Sequence, residues 1–277
     1  MTNSFVLRRK ATGELLKQGS FTEQTGIKVL CNQVDSLPVA DVVFRWGCTG
    51  DLPGDPKVIN SARAIHRVND KKGFRSELLK EGLCPPTWFS LEEYLVDRPQ
   101  GLVGKLLVRP ASHSRSDGMF VCTDLRELVE SIKAIQGAYY ISDLIDKKRE
   151  YRVFVAQNRV AWMIEKLPKN KDEISWGCVE EGTFKYVGWS DWPLDVVDVA
   201  LRSMRLSKLH FGAVDIIVSS SGHPYVLEIN TAPHLTPYYM KTVGKVFKYI
   251  RDENQDRELP DAPLEWKSVI HPAVKDF

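Results

Sequence analysis

Residues 214–233 read VDIIVSSSGHPYVLEINTAP and hold two apolar runs separated by a cluster of Ser, Gly, His and Pro. Such runs around turn-forming residues predict two strands, at residues 214–218 and 225–230, joined by a loop. When the strands fold back about the centre of that loop, Asp215 lies directly opposite Glu228. The stretch therefore predicts a hairpin with two carboxylates side by side.

Side chains alternate along a strand, so Glu228 and Asn230 are expected to share one face of this hairpin. The other face is expected to carry the apolar and aromatic side chains Tyr225, Leu227 and Ile229. Two unpaired carboxylates at cross-strand distance repel each other, and burying either one costs free energy. Mg²⁺ resolves the conflict because it prefers oxygen ligands, which makes Asp215, Glu228 and Asn230 candidate metal ligands. The alternative is a solvent-facing hairpin whose acids pair with surface lysines.

The order Asp215, Glu228-x-Asn230 and a Thr-x-Pro turn resembles the metal-binding end of the ATP-grasp superfamily. That superfamily includes D-alanine–D-alanine ligase, glutathione synthetase and the ligases that add glutamate to a ribosomal protein. The resemblance implies an α/β (α+β) architecture, with a small N-terminal α/β domain and two α+β subdomains that clasp the nucleotide. It also implies that the three side chains hold Mg²⁺ (or Mn²⁺) ions bridging the phosphates of ATP.

The length of 277 residues and the 43% hydrophobic content allow a large core in one large domain or in two to three packed domains. Motif order predicts an N-terminal domain at 1–60, a subdomain with the phosphate loop at 61–145, a subdomain with the metal site at 146–255 and a tail at 256–277. Apolar runs predict strands at residues 5–7, 27–30 and 39–44. Apolar periodicity predicts helices at residues 123–137 and 193–210.

Charge and cysteine content narrow the class of protein. A formal net charge of +2 does not favour nucleic acid or an anionic membrane as a partner. No apolar run approaches the ~20 residues that span a bilayer. The five cysteines are odd in number and lack C-x-x-C spacing, and the first ten residues lack an apolar signal segment. A reducing, cytoplasmic location is therefore expected.

A helix over residues 62–82 is predicted, capped by Asn60 or Ser61. The pattern N-S-x-x-A-I-x-x-x-N-D-K, followed by L-L-x-x-G-L-x-x-P-T, resembles the segment that introduces the ATP-grasp domain. The resemblance implies that Lys71 reaches the nucleotide phosphates, with the neighbouring Lys72 as the alternative. Without the resemblance, either lysine is simply part of an exposed helix face.

The phosphate-binding loop is predicted between a strand at residues 104–110 and a strand at 119–122. Similar proteins carry a lysine at the end of the first strand and then a Gly/Ser-rich loop. Here the matching residue is Arg109, which keeps the positive charge but has a different shape, and Ser114 lies in the loop as a hydroxyl donor. The run R-P-x-x-H-S is similar to variants in bacteriophage-encoded ligases of the superfamily. Lys105 is the alternative to Arg109.

The resemblance also assigns the nucleoside end of the site. It places an adenine hinge at a strand-to-linker passage, and the matching residues are Ser142, Asp143, Leu144 and Ile145. Related proteins commonly have Glu or Gln at the position of Ser142, so base recognition is expected from backbone groups. Glu150 stands where an acid usually holds the ribose hydroxyls.

Two candidate catalytic residues follow from the same resemblance. Arg152 stands where the glutamate-adding ligases carry an arginine directed at phosphate or acyl phosphate. Lys166 matches a basic residue that follows the next strand. The basic residues 147–149, in contrast, are expected to form an ordinary charged turn in a linker over residues 146–150.

Together these features imply a ligase that activates a carboxylate as an acyl phosphate and joins it to an amine, releasing ADP and phosphate. The expected partners are ATP, a small-molecule or peptide carboxylate and an amine acceptor, without nucleic acid or membrane. One alternative is an ATP-grasp kinase that phosphorylates a hydroxyl. Another is a nucleotide-binding protein with weak catalysis, which the replacements at Arg109 and Ser142 favour.

Overall fold

The N-terminal part of the chain forms a parallel sheet with strand order β2-β1-β3-β4. The computed structural model describes residues 3–8, 18–31, 37–111, 118–168, 174, 176, 182–235 and 237–252. The elements of this part are β1 (Ser4–Arg8), α1 (Gln18–Thr25), β2 (Lys28–Cys31), β3 (Val42–Trp46) and β4 (Lys57–Ile59). The three predicted strands are confirmed, although the third begins at Val42 and runs on to Trp46. Helix α1 and strand β4 were not predicted.

Two helices, α2 (Ala62–Asn69) and α3 (Lys71–Lys80), replace the single predicted helix. The break lies at Asp70, whose carboxylate accepts a hydrogen bond from the backbone N–H of Gly73 and so caps a second helix. Ser61, rather than Asn60, caps α2 through the N–H of Ala64. Lys71 is therefore the first residue of a helix, not part of a helix interior.

The second sheet is antiparallel, with strand order β5-β8-β6-β7. Its elements are β5 (Thr87–Trp88), α4 (Leu91–Asp97), β6 (Leu106–Pro110), β7 (Phe120–Cys122), α5 (Leu125–Ala134) and β8 (Tyr139–Asp143). Helices α4 and α5 cover one face, where Trp88, Tyr94 and Leu128 are buried together. Asp124 caps α5 through the N–H of Glu127, so the helix begins two residues later than the predicted start at residue 123.

The third sheet is antiparallel and five-stranded, with order β11-β10-β9-β12-β13. Its elements are β9 (Lys147–Ala156), β10 (Arg159–Pro168), β11 (Gly182–Val187), α6 (Leu194–Ser207), β12 (Phe211–Ser219), β13 (Pro224–Asn230) and α7 (Pro237–Asp252). Residues 147–149 therefore belong to a strand, so the prediction of a charged turn there is wrong. Helix α6 ends before residue 210 because Lys208 adopts a left-handed conformation, φ 61°, as its C-cap.

The third sheet packs on both faces and thereby holds the other parts together. One face packs against α2, α3 and α6 through a cluster that includes Ile65, Val153 and Val214. The other face packs against the first sheet and α7, where the Phe44 and Phe247 rings stack at 4.2 Å. No helix in the part of the chain that the structure describes is long and apolar enough to cross a bilayer.

Candidate active site

The hairpin of β12 and β13 brings three oxygen-bearing side chains together. Asp215 pairs directly with Glu228 across the two strands, which confirms the predicted register. Asn230 Nδ2 lies 3.3 Å from Asp215 Oδ2 and 3.3 Å from Glu228 Oε1. The two acids and the amide therefore converge, as their order in the sequence predicts.

A β-bulge changes the predicted faces of this hairpin. The pairing shifts between Asp215 and Ile216, so that Leu227 is an extra residue in β13. Leu227 consequently lies on the side of Glu228 and lines both cavities, while Val226 and Ile229 belong to the buried core cluster and Ile229 reaches only the first cavity. The prediction that Leu227 and Ile229 share a face is wrong for this reason.

Asp215 is buried and paired with two cations. Arg152 donates from Nε and Nη2 to its two carboxylate oxygens at 2.7 and 2.8 Å, and Lys166 Nζ lies 3.1 Å from Oδ2. Burial alone raises the pKa of this carboxyl, but Arg152 and Lys166 outweigh it and hold the pKa well below its ordinary range. Asp215 is therefore an anion that the protein has already neutralised.

One end of the site is a cavity of about 370 Å³ beside the hairpin. Three cations line it, Lys71, Arg75 and Arg109, and Lys71 Nζ lies 3.5 Å from Glu228 Oε2. Glu228 is the one acid among the lining residues, so the lining carries an excess of positive charge that suits an anion. The neighbouring Lys72 instead donates to the carbonyl oxygen of Phe89 at 3.2 Å, so it is Lys71 that faces the cavity.

A second cavity, of about 500 Å³, adjoins the first. The predicted hinge forms one wall of it, through Ser142, Asp143, Leu144 and Ile145. The two cavities share three lining residues, which are Arg75, Arg109 and Leu227. Lys105 lines only the second cavity, whereas Arg109 faces both. The predicted nucleoside and metal ends of the site are thus neighbours in space.

Many solved structures align with this chain, whereas no protein-family model and no curated protein sequence matches it. D-alanine–D-alanine ligase from Bacillus anthracis aligns with a TM-score of 0.65 at 16% identity, over 90% of this chain and 97% of that chain. The ATP-grasp ligase PsnB complexed with minimal precursor gives 0.64 at 15% identity, over 90% and 98%. A Chryseobacterium gregarium RiPP-associated ATP-grasp ligase, in complex with ADP and a leader and core peptide, gives 0.63 at 13% identity, over 95% and 100%. This chain has the ATP-grasp fold.

Within the ATP-grasp fold, a row of charged side chains crosses the third sheet. Glu150 is buried, and its two oxygens lie 2.6 Å from Lys147 Nζ and 2.7 Å from Lys166 Nζ. A ribose hydroxyl that binds Glu150 would therefore compete with two lysines for its carboxylate oxygens. Lys147 also donates to the carbonyl oxygen of Ile174 and lies 4.4 Å from the ring centroid of Trp176. Burial lowers the pKa of Lys147, although Glu150 acts in the opposite direction.

At the hinge, the side chain of Asp143 faces Arg98 rather than serving the cavity. Asp143 Oδ2 lies 3.7 Å from Arg98 Nη2, and Oδ1 is buried without a hydrogen-bond partner. Burial raises the pKa of this carboxyl, which Arg98 only partly opposes. The hinge residues therefore offer the cavity mainly their backbone groups.

Some predicted site residues lie outside the two cavities, and one residue that lines both cavities was not predicted. Ser114 and the tail at 256–277 lie outside the residues that the structure describes. Arg152 lies behind Asp215 and is absent from the lining of both cavities. Arg75 was missed, although its spacing of four residues from Lys71 places both on one helix face. The described residues contain no group of three His, Cys, Asp or Glu side chains arranged for a metal, so any metal here depends on the amide of Asn230.

Proposed function

We propose that this protein is an ATP- and Mg²⁺-dependent ligase that activates a substrate carboxylate as an acyl phosphate and joins it to an amine. The observation that carries the proposal is the convergence of Asp215, Glu228 and Asn230 beside a cavity lined by cations. Structures of the same fold support it, since PsnB is complexed with Mg and ADP and D-alanine–D-alanine ligase with ATP.

The side chains at the hairpin fit Mg²⁺ by their chemistry, because they offer two carboxylates and an amide. An amide presents either its nitrogen or its oxygen after a half-turn, so the position of Asn230 between the two acids suits a cation. Asp215, Glu228 and Asn230 would hold the ion. Bound Mg²⁺ neutralises charge on the phosphates and on the transferring phosphoryl group.

The residues of the chain then have separate tasks. Lys71 and Arg109 bind the phosphates through their charge, and the backbone at Leu144 and Ile145 orients the base. A substrate carboxylate oxygen forms a bond to the γ-phosphorus, and the bond to the departing ADP oxygen breaks. The amine then attacks the acyl carbon, phosphate leaves with the bonding electron pair, and the amine loses a proton. Arg152 and Lys166 lie outside the lining of both cavities and act on these steps through Asp215, which both of them hold.

Hydroxylamine trapping tests the proposal, because hydroxylamine intercepts an acyl phosphate as a hydroxamate. Purified protein is incubated with ATP, Mg²⁺, hydroxylamine and a panel of acids that includes amino acids and acidic peptides. Peptides belong in the panel because a RiPP-associated ligase of this fold is bound to leader and core peptides. We expect ADP and hydroxamate in equal amounts with at least one acid.

The controls separate this reaction from its alternatives. Glu228→Gln should abolish both products, whereas Glu77→Gln, which removes an acid paired with Arg67 outside both cavities, should leave them unchanged. AMP as the nucleotide product would contradict the acyl-phosphate mechanism. A stable phosphorylated alcohol would identify a kinase, and binding of ATP without turnover of any acid would identify a nucleotide-binding protein.

A further inference from the structure

Arg75 occupies the seam between the two cavities of the site. It lies on α3 one turn after Lys71, and it lines both the hairpin cavity and the hinge cavity. Its side chain is buried, with the residue only 5% exposed. Arg109 lies at the same seam from the second sheet. Arg75 comes from helix α3 and Arg109 from the second sheet, and both therefore lie where the two cavities join.

The partners of Arg75 are neutral, which is unusual for a buried cation. Its Nη1 donates to the carbonyl oxygen of Val226 at 3.3 Å, and its Cζ lies 5.5 Å from the ring centroid of Tyr140. No ion pair among the described residues involves Arg75, whereas Arg152, whose side chain is more exposed at 17%, has the carboxylate of Asp215. Burying a charge without an opposite charge costs several kcal/mol. Folding alone gives no reason to keep a guanidinium here.

The seam offers positive charge to a ligand. A guanidinium carries five N–H groups and stays protonated. Besides Val226, the side chains of Cys84 and Tyr140 are hydrogen-bond partners of Arg75, and all three partners are neutral. Across the seam, Arg109 Nε is buried without a hydrogen-bond partner among the described residues, and Arg109 Nη2 donates to the sulfur of Met119 at 3.1 Å. The seam thus presents two arginines without a carboxylate, which is a site for a phosphate group.

We infer that Arg75 is a further nucleotide-binding residue and contacts the α-phosphate. The inference rests on the proposed function, in which the base occupies the hinge cavity and the outer phosphates lie near Glu228. The phosphate nearest the ribose must then pass the seam between them. Arg75, held by Val226 and Tyr140, directs the charge of its guanidinium toward that phosphate. Because a phosphate carries the opposite charge, nucleotide binding offsets the free-energy cost of burying the Arg75 guanidinium.

The affinity of Arg75 variants for ligands that carry zero to three phosphates tests this role. Dissociation constants for adenosine, AMP, ADP and ATP with Mg²⁺ are measured by calorimetry for the wild type, Arg75→Met and Arg75→Lys. We expect Arg75→Met to weaken AMP, ADP and ATP about tenfold or more, with adenosine changed less than about twofold. For Arg75→Lys we expect a loss of affinity between those of the wild type and Arg75→Met, because lysine keeps the charge and lacks the planar guanidinium. Arg67→Met, on the neighbouring helix and outside both cavities, should change none of the four constants.

Each contrary result has a distinct meaning. Equal weakening of adenosine and ATP would show that Arg75 only supports packing, and unchanged binding would show that it makes no contact. Weakening of ADP and ATP but not AMP would overturn the assignment to the α-phosphate. If Arg75→Met fails to fold, judged by thermal unfolding, Arg75→Lys must itself show the phosphate-dependent loss. A wild-type protein that binds none of the nucleotides would instead overturn the proposed function.

Discussion

At the scale of single residues, Asp215 links the stability of the fold to its site. Arg152 and Lys166 hold its pKa below the ordinary value against the effect of burial. A group with a lower pKa in the folded protein stabilises the fold above its unfolded pKa, ~3.9 for Asp. That contribution is present at neutral pH and is lost as the pH falls.

Asp215→Asn should therefore lower the free energy of unfolding by about 3–5 kcal/mol at pH 7, because it leaves Arg152 without its carboxylate and removes one of the two carboxylates that pair with Lys166. Urea unfolding at several pH values measures this. The gap between variant and wild type should narrow as the pH falls below about 5. Glu130→Gln, which removes an exposed pair with Arg126, should cost about 1 kcal/mol at most. Equal stability of Asp215→Asn and wild type at pH 7 would contradict the pairing.

The sequence alone predicted some of the residues that meet at the site and not others. Asp215, Glu228 and Asn230 were predictable because alternation and hairpin register follow from local sequence. Arg75 was not, because an arginine on a helix face acquires meaning only when two cavities meet beside it. The predicted ordinary turn at Lys147 was wrong because Lys147 begins β9, which pairs with β12, and because Trp176 from a later segment packs against it.

At the scale of elements, the break between α2 and α3 decides where Lys71 lies. A cap at Asn60 or Ser61 and a stop at Gly82 predicted one helix across this stretch, because Asp70 between them is not a helix breaker. The cap formed by Asp70 on Gly73 begins a new helix, and Lys71 is its first residue. Side-chain capping competes with helix propagation in a way that periodicity does not report.

Asp70→Ala should cost about 1 kcal/mol of stability and raise the KM for ATP, since the cap fixes the helix start that carries Lys71. Ser90→Ala is the matched control, because Ser90 caps α4 through the N–H of Glu93 outside both cavities. It should cost a similar amount of stability without changing the KM. Steady-state kinetics and thermal unfolding of both variants measure the difference. A KM change of the same size in both would remove the role given to the cap.

The bulge in β13 shows a second limit of local pattern. Hairpin register was predictable from the loop position, and it placed Asp215 opposite Glu228. An extra residue in one strand depends on contacts across the sheet, so strict alternation wrongly assigned Leu227 to the core side. Bulges re-aim side chains, and here Leu227 joins Glu228 at the cavity.

At the scale of the whole molecule, the first sheet touches the turn that follows Asn230. Gly47 adopts φ +64°, and a Cβ built on it would lie 2.8 Å from the Cβ of Ala232 and 3.4 Å from Thr231 Oγ1. Asn60, fully buried, adds a second tie by donating to the carbonyl oxygen of Phe211 at 2.9 Å. The N-terminal sheet therefore supports the hairpin end of the site, and sequence motifs gave no sign of either contact.

Gly47→Ala should lower both stability and turnover, because the new methyl group pushes on the turn beside Asn230. Gly26→Ala is the control, since Gly26 has a similar φ of +70° with no neighbouring atom within 4 Å. Both variants strain the backbone by about 1 kcal/mol, and only Gly47→Ala should also reduce nucleotide turnover. Full activity of Gly47→Ala would show that the turn does not need this contact.

The central claim is that the hairpin acids hold a divalent cation together with nucleotide phosphates, and Mn²⁺ binding followed by electron paramagnetic resonance tests it most directly. Arg152 and Lys166 already neutralise Asp215, so Mn²⁺ alone should bind weakly. Addition of ADP should tighten Mn²⁺ binding about tenfold or more, and Glu228→Gln, but not Glu77→Gln, should abolish that gain. Equal Mn²⁺ binding with and without ADP, or an unchanged gain in Glu228→Gln, would contradict the claim.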